Sequence, residues 1–256
     1  MIYKRVAARL RAQDWVAITI ELGIVIVGVF VGTQVSNWNA DRLEKAQTQR
    51  MLVQLAPQLR DFRDYMAAAH RYFAVTRAYA NVALAGWRND PSVSDRDFVI
   101  AAYQASQVYG FGANGTAWAS VLGSDRLRDI NDPEMRSELA YLASSDYSNV
   151  NESAVDTPYR RNVRRIIPIE IQDAVRTHCG DQFDPKRALV VSLPRQCAID
   201  LLPSGAKSAA AALRAHPELS QDLQWHVAAI AAFQENLRPF EYATRALLKD
   251  IAEGKS

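Results

Sequence analysis

The chain has 256 residues, in which 30 Lys and Arg nearly balance 28 Asp and Glu for a formal net charge of +2. That balance creates no broad electropositive field, so nucleic acid is not an expected partner. Beyond the first forty residues about 216 remain, enough for one core-forming domain and hardly enough for two.

Residues 1–14, MIYKRVAARLRAQD, carry Lys4, Arg5, Arg9 and Arg11 against the lone acid Asp14. On a helical wheel the cations face away from Ile2, Tyr3, Val6, Ala7 and Leu10, so the segment reads either as an amphipathic helix on the inner leaflet or as a plain basic flank. Both readings keep it in the cytoplasm by the positive-inside rule. The next stretch, 15–38, is expected to be a transmembrane helix. From Val16 to Val35 it holds one ionisable side chain, Glu21, and its length matches the roughly 30 Å hydrocarbon layer. Trp15 and Trp38 stand at its two ends, where amphipathic rings anchor a span at the interface. The residues that follow, TQVSNWNA, offer no small-x-small cleavage pair, so the helix is expected to be retained as an anchor.

Within the span, Glu21, Gly28 and Gly32 fall on one stripe. The two glycines form a G-x-x-x-G pair that lets another helix approach closely, and a carboxylate at membrane depth normally faces a partner or protonates; the alternatives are an incidental glycine pair and a Glu21 that reaches the head groups. The stripe is the expected packing face toward another membrane protein or a second copy, with membrane lipid around the rest.

After the span comes Gln34-Val35-Ser36-Asn37-Trp38-Asn39-Ala40-Asp41-Arg42. An apolar helix containing a Glu and followed by Q-x-x-N-W-N-x-x-R resembles a family of bacterial inner-membrane proteins with one N-terminal span. A looser likeness runs from Thr116 through Leu122 to Leu127, Ile130 and Asp132, similar to that family's T-x-x-x-x-x-L and L-x-x-I-x-D pattern. The resemblance implies an architecture and a bacterial inner-membrane location, and no reaction.

Residues 39–256 are expected to form a periplasmic helical domain. From Leu52 the apolar positions step by three and four through Leu55, Leu59, Phe62, Met66, Ala69, Phe73, Thr76, Ala80, Ala83 and Trp87, the period of a helix packing lengthwise on another. Pro57 either kinks this helix or starts a new one. Ser94 is a candidate N-cap for a helix from about Asp95 to Val108, Tyr109 to Gly115 reads as a loop, and helices are expected over Thr116 to Gly123 and from Pro133 to about Tyr147, the latter capped by Asp132.

Thr157-Pro158 opens a helix on which Arg160, Arg161, Arg164 and Arg165 share one side. They make a candidate patch for an anion or an acidic partner, against the commoner alternative of a solvated or internally paired face. Cys179 and Cys197 close a loop whose length suits a stabilising disulfide in an oxidising compartment, and that pairing is expected. Ala188 to Leu193 reads as a short strand or extended loop. A last helix runs from Pro217 to about Ile251 with a disturbance at Pro239 and an apolar line of Leu223, Val227, Ile230, Phe233, Leu237, Phe240, Thr244, Leu247 and Ile251. Its natural mate is the Leu52 to Trp87 stripe, antiparallel. The fold class is therefore mainly α: a single N-terminal transmembrane helix continuing into an extramembrane antiparallel helical bundle.

His70, His178, His216 and His226 sit in separate segments, His226 near an apolar helix face. The G-x-S-x-G and H-E-x-x-H signatures do not occur, and no catalytic, cofactor or metal residues are assigned. The leading expectation is a non-catalytic, membrane-anchored interaction protein serving as accessory subunit or scaffold of an envelope complex. The alternative is a periplasmic sensor or ligand-binding module that signals through a partner chain.

Overall fold

A computed structural model describes residues 15–110, 126–151, 155–187, 189–201 and 203–255. The basic segment 1–14, the expected helix over 116–123 and most of the looser family likeness lie outside them. The described chain is mainly α. Its helices are α1 (Trp15–Trp87), α2 (Asp95–Gln104), α3 (Pro133–Ser144), α4 (Pro158–Ile166), α5 (Ile169–Cys179), α6 (Pro203–Arg214) and α7 (Glu218–Ala252). Strands β1 (Gln182–Asp184) and β2 (Leu189–Ser192) pair antiparallel. By packing, the chain divides into two compact units, 1–51 and 52–256.

In the first unit the described side chains between Ile18 and Trp38 stand outward. This is one helical stretch long and apolar enough to cross a membrane, with a mean hydropathy of 2.0 over its best window. The Thr19 and Thr33 hydroxyls donate to the carbonyls of Trp15 and Phe30, so neither leaves a polar group unpaired along an apolar surface.

In the second unit, α1 buries Leu52, Leu55, Leu59, Phe62, Met66, Ala69, Phe73, Thr76, Ala80 and Ala83, the stripe its spacing predicts; Trp87 is only partly buried, and its ring nitrogen donates to the Leu213 carbonyl. Helix α7 lies against it in the opposite direction. Phe62 meets Phe240 edge to face at 6.3 Å, and Phe73 meets Phe233 at 5.5 Å. As one helix ascends the other descends, so the expected antiparallel pairing is present.

Neither proline breaks its helix. Pro57 and Pro239 lie inside α1 and α7, each on an exposed position, as do Val53 and Glu235 one turn earlier. The carbonyl that loses its hydrogen bond therefore faces water, which satisfies it.

Helix α1 stops at a turn in which Asn89 takes a positive φ of 55°, a conformation Asn tolerates better than most side chains. Just before it, Gly86 admits α2: a Cβ there would lie 2.1 Å from the Phe98 ring. Ser94 caps α2 as expected, its Oγ accepting from the Asp97 amide at 3.1 Å and donating to the Asp97 carboxylate at 2.7 Å. Asp132 caps α3 through the amides of Glu134 and Met135.

Two expected helix ends fall short. Helix α2 ends at Gln104 rather than Val108, because the Ser106 hydroxyl turns back onto the Tyr103 carbonyl. Helix α3 ends at Ser144 rather than Tyr147, because the hydroxyls of Ser144 and Ser145 occupy the Ala140 and Tyr141 carbonyls of its last turn. Around the α1/α7 pair, α3 and α4 pack on α7, and α2 packs on α6.

Candidate functional site

Three places carry side chains that composition alone does not explain. The first is the membrane-length part of α1. Because the segment is helical throughout, Glu21, Gly28 and Gly32 lie within about 40° of one another around its axis. A Cβ added at Gly28 or Gly32 would meet nothing within 4 Å, so this strip is bare backbone, and Glu21 stands exposed on it. Trp15 and Trp38 are 71% and 61% exposed, separated along the helix by roughly 35 Å, and the Arg42 guanidinium lies 5.2 Å above the Trp38 ring. The rings thus bracket a length slightly greater than a bilayer's hydrocarbon layer.

The second place is the arginine-rich helix α4. Tyr159 and Val163 are its buried edge, so the positions one residue on, Arg160 and Arg164, are drawn half inside, while Arg161 and Arg165 continue round to solvent. Arg160 donates to the Ser106 carbonyl at 3.3 Å. Arg164 donates to the Ser106 hydroxyl at 3.1 Å and to the Gln107 side-chain oxygen at 2.8 Å, with the Tyr103 ring 5.2 Å beneath it. These contacts lie at the C-terminal end of α2, where the helix presents its partial negative charge, so two of the four arginines serve as a cationic cap on a packed helix end. Burial, then the neighbouring Arg160, holds the Arg164 guanidinium below its usual pKa. Arg161 pairs with Asp156 at 3.1 Å. The four side chains, a candidate patch in the sequence against the commoner alternative of a solvated or internally paired face, are split between an inward pair and an outward pair.

The third place is the loop closed by Cys179 and Cys197, whose sulfurs are bonded with the Cα atoms 5.5 Å apart. Four hydrogen bonds from α1, α2 and the turn after α2 hold that loop. Gln104 Nε2 donates to the Cys179 carbonyl at 2.7 Å, and the hydroxyls of Tyr72, Tyr79 and Tyr109 donate to Asp181, Pro194 and Val190, each at 2.9 Å. Burial, followed by the charge of Asp181, raises the Tyr72 phenol, which stays a neutral donor at all physiological pH. Sequence reasoning found the bridge but not this seat. Tyr72 falls beside Phe73 of the apolar stripe, and nothing in its spacing announces a polar partner on another segment.

The histidines do not converge. His70 lies between Gln234 and Glu241 of α7, at 3.0 and 2.6 Å, and His216 lies 2.8 Å from Glu218. His178 is exposed. His226 is fully buried, with Nδ1 2.7 Å from the Thr157 hydroxyl. Burial first, then Arg160, lowers its pKa to about 4, so it is a neutral core residue at pH 7. Among the described residues no group of three or more His, Cys, Asp or Glu side chains is arranged to hold a metal ion.

Among the described residues, fold and site define a mainly α, disulfide-closed helical protein with one helix long and apolar enough to cross a membrane. Comparison with family models, curated proteins and solved structures gave no match.

Proposed function

We propose that this chain is a membrane-anchored interaction protein of the bacterial inner membrane, with its N-terminus in the cytoplasm and residues 39–256 in the periplasm. In this reading it is non-catalytic and serves as accessory subunit or scaffold of an envelope complex, resembling the single-span family in its Q-x-x-N-W-N-x-x-R motif. The observation that carries the reading is the bare glycine strip with Glu21 on it, flanked by tryptophan anchors. Lipid gives helices no hydrophobic reason to associate, so close backbone contact and a partner for the carboxylate supply the drive. The disulfide supports an oxidising compartment for the outer domain.

Photo-crosslinking from a position on the strip in native membranes tests the reading. Gly28→Leu or Gly32→Leu is expected to cut the crosslinked product by about tenfold, a loss equivalent to roughly 1.4 kcal/mol. Undiminished crosslinking would count against this interface.

A second reading, a periplasmic sensor or ligand-binding module, is favoured by an open cleft of about 290 Å³ between α1, α2 and residues 196–198. A saturable rise in melting temperature of the full-length protein with a small molecule would favour it over the scaffold.

A further inference from the structure

The two halves of the disulfide differ in access. Cys179 ends α5 with 3% of its surface exposed, whereas Cys197 is partly exposed and lines the cleft with Tyr79, Val82, Ile100 and Ala198. The bridge is also not what alone holds its loop. The hydrogen bonds from Tyr72, Tyr79, Gln104 and Tyr109 reach Asp181, Pro194, the Cys179 carbonyl and Val190, and none of them involves sulfur. The β1–β2 pairing lies inside the same loop and is likewise independent of it.

We propose that Cys197 is a site of thiol–disulfide exchange with a dithiol reductant protein, and that opening the bridge leaves the loop seated and the bundle folded. The reductant's thiolate sulfur bonds to Cys197 Sγ, the Sγ–Sγ bond breaks, and the electron pair leaves on Cys179 Sγ, which takes a proton from solvent. The reductant's second thiol, deprotonated, then attacks its own partner sulfur in the mixed disulfide, releasing Cys197 as a thiolate. The dithiol is oxidised by two electrons and the bridge is reduced to two thiols.

Leaving-group chemistry opposes this direction, because a thiolate at the C-terminal end of α5 and in apolar surroundings is a poor one. Access decides, since attack needs an approach along the S–S axis from the side of the sulfur attacked, and buried Cys179 offers little of it. Once reduced, Cys179 remains as a small apolar side chain in its packed position.

The experiment uses the full-length protein in detergent micelles and a thioredoxin-type reductant whose resolving cysteine is replaced by serine, so that the mixed disulfide accumulates and can be mapped by peptide mass spectrometry. The expected adduct lies on Cys197 in at least about tenfold excess over Cys179. A predominant adduct on Cys179, or no adduct from a reductant that reacts with the urea-unfolded chain, would overturn the proposal. Ala198→Trp, at an exposed position on the cleft, is expected to slow adduct formation about tenfold with an unchanged far-ultraviolet circular dichroism spectrum. An unchanged rate would remove the cleft from the argument. Complete reduction of the unsubstituted protein should leave its helical signal intact at 25 °C, and loss of that signal would show that the bridge, not the tyrosine seat, holds the loop.

Discussion

The two stretches of α1 on either side of residue 51 have the same backbone and opposite surfaces. Between Ile18 and Val35 apolar side chains point in every direction and stay exposed, Ile24 at 66% and Phe30 at 62%; between Leu52 and Ala83 most of them lie on the bundle side and are enclosed, Leu59 at 0% and Phe73 at 1%, with Val53 exposed. What separates them is the angular distribution of apolar residues rather than their number. A helix oily all round needs an oily solvent, and a helix oily on one side needs a neighbour. Their polar residues follow the same division. Glu21 stands on the exposed face, whereas Thr76 is enclosed in the core with its hydroxyl donating to the Phe73 carbonyl at 3.0 Å.

The largest test of that contrast truncates one phenylalanine in each stretch. Phe73→Ala removes a ring packed on Phe233 and Tyr72 and is expected to destabilise the bundle by about 3–5 kcal/mol, read by denaturant unfolding. Phe30→Ala should leave that unfolding curve in place, and an equal loss would mean the two stretches do not differ as described.

A somewhat smaller effect is expected from acid. The unfolded chain protonates His226 near pH 6.5, whereas the native state resists until about 4, so the unfolded state holds more protons between those values. Stability is full above pH 6.5 and falls as pH drops toward 4, by about 3 kcal/mol at most from this group. His226→Phe should flatten that part of the pH profile, and an identical acid slope in the variant would assign the loss to other groups.

Glu138 gives the smallest effect. Its carboxyl is pushed up by burial, then by Asp250, Glu134 and Asp132, with Lys255 opposing, and its Oε2 is buried without a hydrogen-bond partner. A raised native value means the group favours folding at low pH and loses that contribution as pH rises past the unfolded value. Glu138→Gln should therefore raise the melting temperature at pH 7 by a degree or two, on the order of 1–2 °C, with the curves converging near pH 4.

Much of the architecture was legible because it depends on periodicity. The stripes of α1 and α7, the Ser94 and Asp132 caps and the cystine each rest on a local rule of spacing or residue type. The short helices α5 and α6 and strand β1 were not read: α5 follows α4 directly across Pro168, α6 is rich in alanine, and three residues of strand carry no alternation to detect. Val227 and Ile251 belong to the expected apolar line of α7 yet are only partly buried, while His226 is fully enclosed and Asp250 is buried. Which side chains are enclosed depends on α3, α4 and the tail at Lys255, whose ammonium lies 2.6 Å from Asp250.

The sequence by itself determined that one segment is membrane-length and apolar on all faces, that two long helices carry matching stripes, and that two cysteines are available to close a loop. Only the tertiary structure decided that Arg160 and Arg164 turn inward to cap α2, that three tyrosines and Gln104 seat the cystine loop, and that the cystine shows one sulfur's residue to a cleft and buries the other. Periodicity and capping act over a few residues and are written in order along the chain. The hydrogen bonds that fix a polar side chain join residues such as Tyr72 and Asp181, 109 positions apart, and no local pattern encodes which distant atom will be within reach.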